Sequence, residues 1–339
     1  MTGRRVGVLG LGSWGSALGL VLREAEVPFR GWSPLVDQVR LIQETGTNPD
    51  YLPGIDLGRG FPCTDDLDAV VRWADTLLLV IPSRYLRDVC GRIAGMGVDP
   101  RLVINAGKGL DHEHSSLLSD LIAGELPGWP QAVLSGPSHA EEVAAGIPTL
   151  VVAAAAEQAT AEAVRDLFMT ARFRVYSSTD LIGVQVGGAV KNVIALAAGC
   201  IDGLGLGDNT KAALITRGLV EVARLGVAMG GKPETFFGLS GLGDLVVTCE
   251  SRHSRNRHVG EQLGRGRSLE EVLGEMVMVA EGVWTAETVC SLSRRLGVEA
   301  PISEQVWAVL QGRSSPLAAV EALMTRDPRQ EMEAFSGRL

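Results

Sequence analysis

The chain has 339 residues, of which 46% are hydrophobic and 21% charged, with a formal net charge of −9 and a pI near 5.2. The length allows two domains, since single cores stop growing near about 250–300 residues, and the composition is that of a folded rather than a disordered protein. The acidic balance argues against a nucleic-acid partner, although a small cluster of Lys and Arg can still hold one phosphate.

Arg4 and Arg5 precede an uncharged run, residues 6–22, that superficially resembles a secretory signal. Glycines at 7, 10, 12, 15 and 19 suit an apolar signal helix poorly, no small-residue cleavage site follows, and the run is short for a membrane span. The reading is a cytoplasmic protein with no integral membrane segment. Residues 5–10 form a short apolar run ended by glycine, as a buried parallel strand should be. Gly10, Gly12 and Gly15 then match G-x-G-x-x-G, and Ala17, Leu18, Val21 and Leu22 continue as an apolar helical face. Between a strand and a helix such a loop permits a tight turn and close approach to a pyrophosphate, whose charge the helix N-terminus favours.

Further buried strands are predicted over 76–81, 102–106, 132–135 and 149–153, with helical segments around 84–95, 114–124 and 157–170. This alternation predicts an α/β, Rossmann-like fold, a mostly parallel sheet with helices on both faces. Pro82 and Gly107-Lys108-Gly109 end two of the strands, and ligands lie beyond the carboxyl ends of such strands. Lys108 is therefore either a site residue or an exposed loop lysine. Ser138 and Glu141 fit a capping box, which also presents amide groups to an anion. His112-Glu113-His114 reads as a solvated loop, because i and i+2 do not share a helix face. Cys63, Cys90, Cys200, Cys249 and Cys290 are scattered and fit no metal spacing, so they read as small hydrophobes in a reducing compartment. No metal site is expected. After residue 177 the pattern turns helical, with apolar runs over 181–198 and 209–229. The expected organisation is a dinucleotide-binding domain over 1–180 and an all-helical second domain over 181–335.

Two segments of that second domain carry chemistry. Lys191 is the one charge in an otherwise apolar helical run, where burial would cost free energy unless a partner holds it. Such a lysine either acts as an acid toward a carbonyl oxygen or extends from the helix edge to water. Residues 237–257 combine glycines at 238, 241 and 243 with Asp244 and the run Ser254-Arg255-Asn256-Arg257. Asp244 is a plausible carboxylate partner for Lys191, and an arginine beside an asparagine suits a phosphate or carboxylate.

Taken in order, Gly10–Gly15, 105–109 with Lys108, 135–138, 187–192 with Lys191, 241–245 with Asp244, 254–257 and 279–283 resemble the bacterial-type NAD(P)-dependent glycerol-3-phosphate dehydrogenases. The resemblance covers essentially the whole chain. It implies reversible reduction of dihydroxyacetone phosphate to sn-glycerol 3-phosphate, feeding glycerophospholipid synthesis, by a homodimer. It implies Lys191 as general acid/base beside Lys108 and Asp244, and substrate contacts from Gly136, Ser138, Ser254, Arg255 and Asn256. Ser13, Trp14, Lys108, Ala140, Arg255, Val279 and Glu281 would contact the cofactor, with Arg255 where the two ligands meet. One departure concerns the cofactor. Many relatives carry an arginine after the second strand, suited to a 2′-phosphate, where this chain has Pro34. No acidic residue marks the strand end either, as NAD preference would usually require, so Arg30 and Ser33 are the candidates left. The choice between NAD and NADP stays open, with family resemblance leaning to NADP. The rival readings are a dehydrogenase of hydroxy or sugar acids with a similar helical domain, and a non-catalytic nucleotide sensor.

Overall fold

The protein is described by a computed structural model over residues 4–327. It divides into two compact units, one from residues up to 107 together with 118–181, the other from 108–117 together with 182 onward. The expected end of the second domain at 335 lies outside the described residues.

In chain order the strands are β1 (Val6–Leu9), β2 (Phe29–Trp32), β3 (Cys63–Thr64), β4 (Thr76–Leu79), β5 (Leu102–Asn105), β6 (Leu110–Asp111), β7 (Ser116–Leu117), β8 (Gln131–Ser135), β9 (Thr149–Ala155) and β10 (Phe173–Ser178). Eight of them form one sheet in the order β10-β9-β8-β5-β4-β1-β2-β3. The run β3-β2-β1-β4-β5-β8 is parallel throughout, whereas β9 pairs antiparallel with β8 and carries β10 parallel to itself. Strand order reverses between β1 and β4, which places the ligand crevice of a doubly wound sheet beside the β1 loop.

Alternate side chains of the apolar strands enter two separate cores, one on each face. Val8 packs with Leu18, Leu22 and Ile42, while Leu9 and Leu77 pack with Leu86, Cys90 and Ile93. That is why the central strands read as unbroken apolar runs. The sheet is a Rossmann-like α/β layer, as expected, and is followed by a helical second unit. Two local expectations fail. The helix expected over 114–124 begins only at Leu118, because β6 and β7 close a short antiparallel hairpin first. The expected capping box at Ser138 does not form. The helix Ala140–Ala144 has His139 at its N-cap with no side-chain cap, and the Ser138 hydroxyl donates to the Gly136 carbonyl at 2.8 Å.

In the second unit the helix Leu181–Leu204 is buried almost all round, so it is apolar on every face. It has the length and hydropathy of a membrane span, but 83% of its most apolar stretch is buried inside the protein. Helices Gly207–Ala228, Glu281–Leu296 and Pro301–Leu310 pack into the same core, through residues such as Val222, Val289 and Val306. Glu221 is buried there and accepts hydrogen bonds from the amides of Ile302 and Ser303, the first turn of the helix Pro301–Leu310. All five cysteines are free, and burial pushes the thiols of Cys90, Cys200, Cys249 and Cys290 up to about 12.

Candidate active site

The glycine loop of the first unit is shaped by steric demand. Gly10 has φ of +106°, and a Cβ there would come within 2.4 Å of the Val80 carbonyl oxygen. A Cβ on Gly15 would sit 1.8 Å from the Gly10 carbonyl oxygen, so only glycine lets the helix Ser13–Glu24 close on the strand. Gly12 is the N-cap of that helix, and the nearest atom to a Cβ there is a ring carbon of Tyr51 at 3.7 Å. The loop therefore presents bare backbone at the N-terminus of a helix, which fits a dinucleotide pyrophosphate.

The remaining residues proposed for this unit are spread around the carboxyl edge of the sheet and behind it. The Ser13 hydroxyl donates to the Tyr51 carbonyl at 2.6 Å, and Trp14 tilts against Phe173. Gly136 has φ of +138° and sits just past β8, two residues before Ser138, and Ala140 opens its short helix, buried. Ser33 is buried, donating to Gln38 Oε1 at 2.6 Å and accepting from the Leu35 amide. Arg30 lies in mid-strand with its guanidinium 4.9 Å from the Trp73 ring centroid.

In the second unit, Lys108, Lys191 and Asp244 come together. Asp244 starts the helix Asp244–Glu250, which follows a π-type turn over Leu239–Gly243. The glycines of that turn give it room: a Cβ on Gly241 would strike the Phe236 carbonyl oxygen at 2.1 Å. On the helix Leu181–Leu204, a Cβ on Gly187 would meet the Ser240 carbonyl oxygen at 2.5 Å, so the Asp244 turn rests directly on the helix that carries Lys191.

Asp244 is 1% exposed and bridges two ammonium groups. Lys191 Nζ donates to Asp244 Oδ1, and Lys108 Nζ donates to Asp244 Oδ2 at 2.9 Å. Lys191 Nζ also donates to Thr248 Oγ1 at 2.7 Å, while the Thr248 hydroxyl donates to the Asp244 carbonyl at 2.6 Å. Two of the three ammonium hydrogens of Lys191 are thus committed, and the third is left for a ligand. Burial pulls Lys191 down from its usual range to about 7; Asp244 opposes that shift and Lys108 adds to it. Two lysines against one carboxylate leave excess positive charge, which suits an anionic substrate.

A second chain of bonds runs beside the first. The Asn192 side chain donates to the Lys108 carbonyl at 2.9 Å and accepts from Asn256 Nδ2 at 2.9 Å. Asn256 Oδ1 in turn accepts from the Gly282 amide at 2.8 Å. Ser254 caps the helix Arg255–Gly264 by accepting from the Arg257 amide, and Arg255 stands exposed at its start. Val279 is half-buried, and Glu281 opens the helix Glu281–Leu296 one residue before Gly282. Sequence reasoning gave no role to Thr248 or Asn192. Thr248 lies one turn after Asp244 on the same helix face, and that i, i+4 spacing was the available signal. His112, read as solvated, is half-buried: its Nδ1 lies 2.8 Å from Thr288 Oγ1, and burial lowers its pKa.

A buried lysine held by a carboxylate, together with a Rossmann glycine loop, is the arrangement of a dinucleotide-dependent oxidoreductase. Residues 5–161 match the family described as NAD-dependent glycerol-3-phosphate dehydrogenase N-terminus, and residues 180–321 match its C-terminus. A glycerol-3-phosphate dehydrogenase [NAD(P)+] of Geobacter sulfurreducens is 48% identical over 332 residues, covering 96% of this chain and 98% of its own. One from Prosthecochloris aestuarii is 46% identical over 328 residues, covering 96% and 99%. The crystal structure of glycerol-3-phosphate dehydrogenase from Coxiella burnetii superposes with a TM-score of 0.91 at 39% identity, covering 96% of this chain and 99% of that one. The chain belongs to the NAD-dependent glycerol-3-phosphate dehydrogenase family.

Proposed function

We propose that this chain interconverts dihydroxyacetone phosphate and sn-glycerol 3-phosphate by NAD(P)H-dependent hydride transfer, supplying glycerophospholipid synthesis. The observation that carries the reading is the buried Lys108–Asp244–Lys191 arrangement, with a free ammonium hydrogen and a glycine loop suited to a dinucleotide elsewhere in the chain. The nicotinamide cofactor, when bound, supplies or accepts the hydride at the substrate carbon.

The protein's own part is proton transfer and positioning. During reduction negative charge grows on the carbonyl oxygen, and the Lys191 ammonium stabilises it more in the transition state than in the ground state. Lys191 then gives its proton to that oxygen, and the alcohol results. In the reverse direction the neutral amine takes the hydroxyl proton. Asp244 and Thr248 hold the amine in place, and Lys108 supplies a second positive charge. Ser254, Arg255 and Asn256 would bind the phosphate, whose binding energy orients the substrate. Gly136 and Ser138 are further substrate residues on this reading. Gly10, Gly12, Ser13, Trp14, Gly15, Ala140, Lys108, Arg255, Val279 and Glu281 are those proposed for the cofactor, with Arg30 and Ser33 at the second strand.

Family resemblance supports a homodimer and a cytoplasmic location, the first of which light scattering tests. The functional test is oxidation of NADH and NADPH followed at 340 nm. Rapid oxidation with dihydroxyacetone phosphate, and little with 2-keto acids, is the expected result. Preference for a keto acid favours the hydroxy-acid rival. The ratio of the two cofactors reads the consequence of Pro34.

A further inference from the structure

Arg257 closes the Ser-Arg-Asn-Arg segment but has no part in the roles above. Its Nε lies 2.7 Å from Asp202 Oδ2, a charge contact without hydrogen-bond geometry that reaches the last turn of the helix Leu181–Leu204. The same carboxylate oxygen meets Lys211 Nζ at 3.1 Å, and Lys211 also pairs with Glu250 at 3.2 Å. Arg257 Nη1 completes the group with Glu261 at 3.4 Å. Lys211 is buried, and Arg257 and Asp202 are largely so.

Beneath these charges the two helices meet backbone to backbone. A Cβ on Gly199 would lie 2.0 Å from the Arg257 carbonyl oxygen, and one on Gly203 would lie 2.2 Å from that of Glu261. From the other side, a Cβ on Gly260 would lie 1.9 Å from the Leu196 carbonyl oxygen, and one on Gly264 2.5 Å from that of Cys200. Asn192 and Asn256, Leu196 and Gly260, and Cys200 and Gly264 each stand 64 residues apart. The helices Leu181–Leu204 and Arg255–Gly264 therefore run parallel and in register, stepping four residues at a time. Glycine surfaces have no side-chain knobs to stop one helix sliding on the other. A slip of a single residue moves a helix by about 1.5 Å, enough to break the Asn192–Asn256 bond.

We propose that the Arg257–Asp202 ion pair, braced by Lys211, locks the axial register of the helix Arg255–Gly264 on the helix that carries Lys191. Arg257 is then a positioning residue that sets Ser254–Asn256 at its distance from Lys191, and it is not a phosphate ligand. The inference rests on the proposed phosphate role of Ser254, Arg255 and Asn256.

Kinetics with dihydroxyacetone phosphate and with dihydroxyacetone, which lacks the phosphate, test it on Arg257→Gln, Asp202→Asn and the double variant. Each single change lowers kcat/KM for the phosphorylated substrate by about 10- to 100-fold, the range expected for a misplacement of about 1 Å. Turnover of dihydroxyacetone stays within about twofold, and the double variant is no worse than the poorer single one. Lys211→Met, which weakens the lock from outside both helices, gives a smaller loss of the same selectivity. Equal losses with both substrates mean general damage and overturn the proposal. So does a loss in Arg257→Gln without one in Asp202→Asn, which marks direct phosphate contact. Wild-type protein inactive on dihydroxyacetone phosphate overturns the functional reading itself, and the lock falls with it. Activity without the expected selectivity overturns the lock alone.

Discussion

The glycine loop and the lysine–aspartate centre are built in opposite ways. The loop, 10–15, is one contiguous stretch whose shape follows from missing side chains: Gly10 at positive φ, and Gly15 against the Gly10 carbonyl. The centre gathers Lys108, Lys191, Asn192, Asp244, Thr248, Asn256 and Gly282 from five separated segments, and its properties come from side chains. A backbone site is written locally and tolerates change poorly because space is gone. A side-chain network is written nowhere in particular and tolerates change poorly because charge and hydrogen bonds are lost.

The largest effect of breaking that contrast is expected at Asp244. Asp244→Ala leaves two lysines without their shared counter-charge, and a broken buried pair costs about 3–5 kcal/mol. Denaturant unfolding at pH 7 reads the loss, and activity should disappear with it. A variant as stable as wild type would mean that the charges are not buried together.

A smaller effect, of a different kind, is expected at the loop. Gly15→Ala forces a methyl against the Gly10 carbonyl and should cost about 1–3 kcal/mol of stability through overpacking. It should also weaken NAD(P)H binding, measured by fluorescence, without moving the pH dependence of the chemistry. If dinucleotide affinity is unchanged, the loop is a structural turn only.

The finest distinction is in pH. With Lys191 near 7, the protonated acid dominates below that value, so reduction is fastest there and falls as pH rises through it. Oxidation needs the neutral amine and should rise over the same interval. Thr248→Val removes an oxygen that accepts from the ammonium, so the limb should move to lower pH by about one unit, equivalent to about 1.4 kcal/mol. Reduction above the limb then falls about tenfold. A limb that does not move under this substitution would assign the titration to another group.

The same contrast governs what could be read before any coordinates. The glycine loop, the strand–helix alternation and the buried apolar helix were legible because each rests on local pattern: spacing, period or burial. β10 and the reversal of β9 were not, since strand direction depends on partners and not on composition. The hairpin of β6 and β7 was hidden inside a stretch whose apolar residues also fit a helix. Of the centre, Lys191 was legible as one charge in an apolar helix, and Asp244 as a carboxylate set among glycines. Their meeting, the bridging role of Lys108 and the share of Thr248 and Asn192 depend on contacts between segments far apart in sequence, which no local rule encodes. Family resemblance supplied part of that pairing, as an expectation.

The most direct test of the central claim compares wild type with Lys191→Ala for NAD(P)H affinity and for dihydroxyacetone phosphate reduction. The account predicts unchanged cofactor affinity and a fall in kcat of about 100- to 10,000-fold, the usual worth of a positioned acid. A variant that keeps kcat within a few-fold of wild type would contradict it, and the proton would have to come from elsewhere than Lys191.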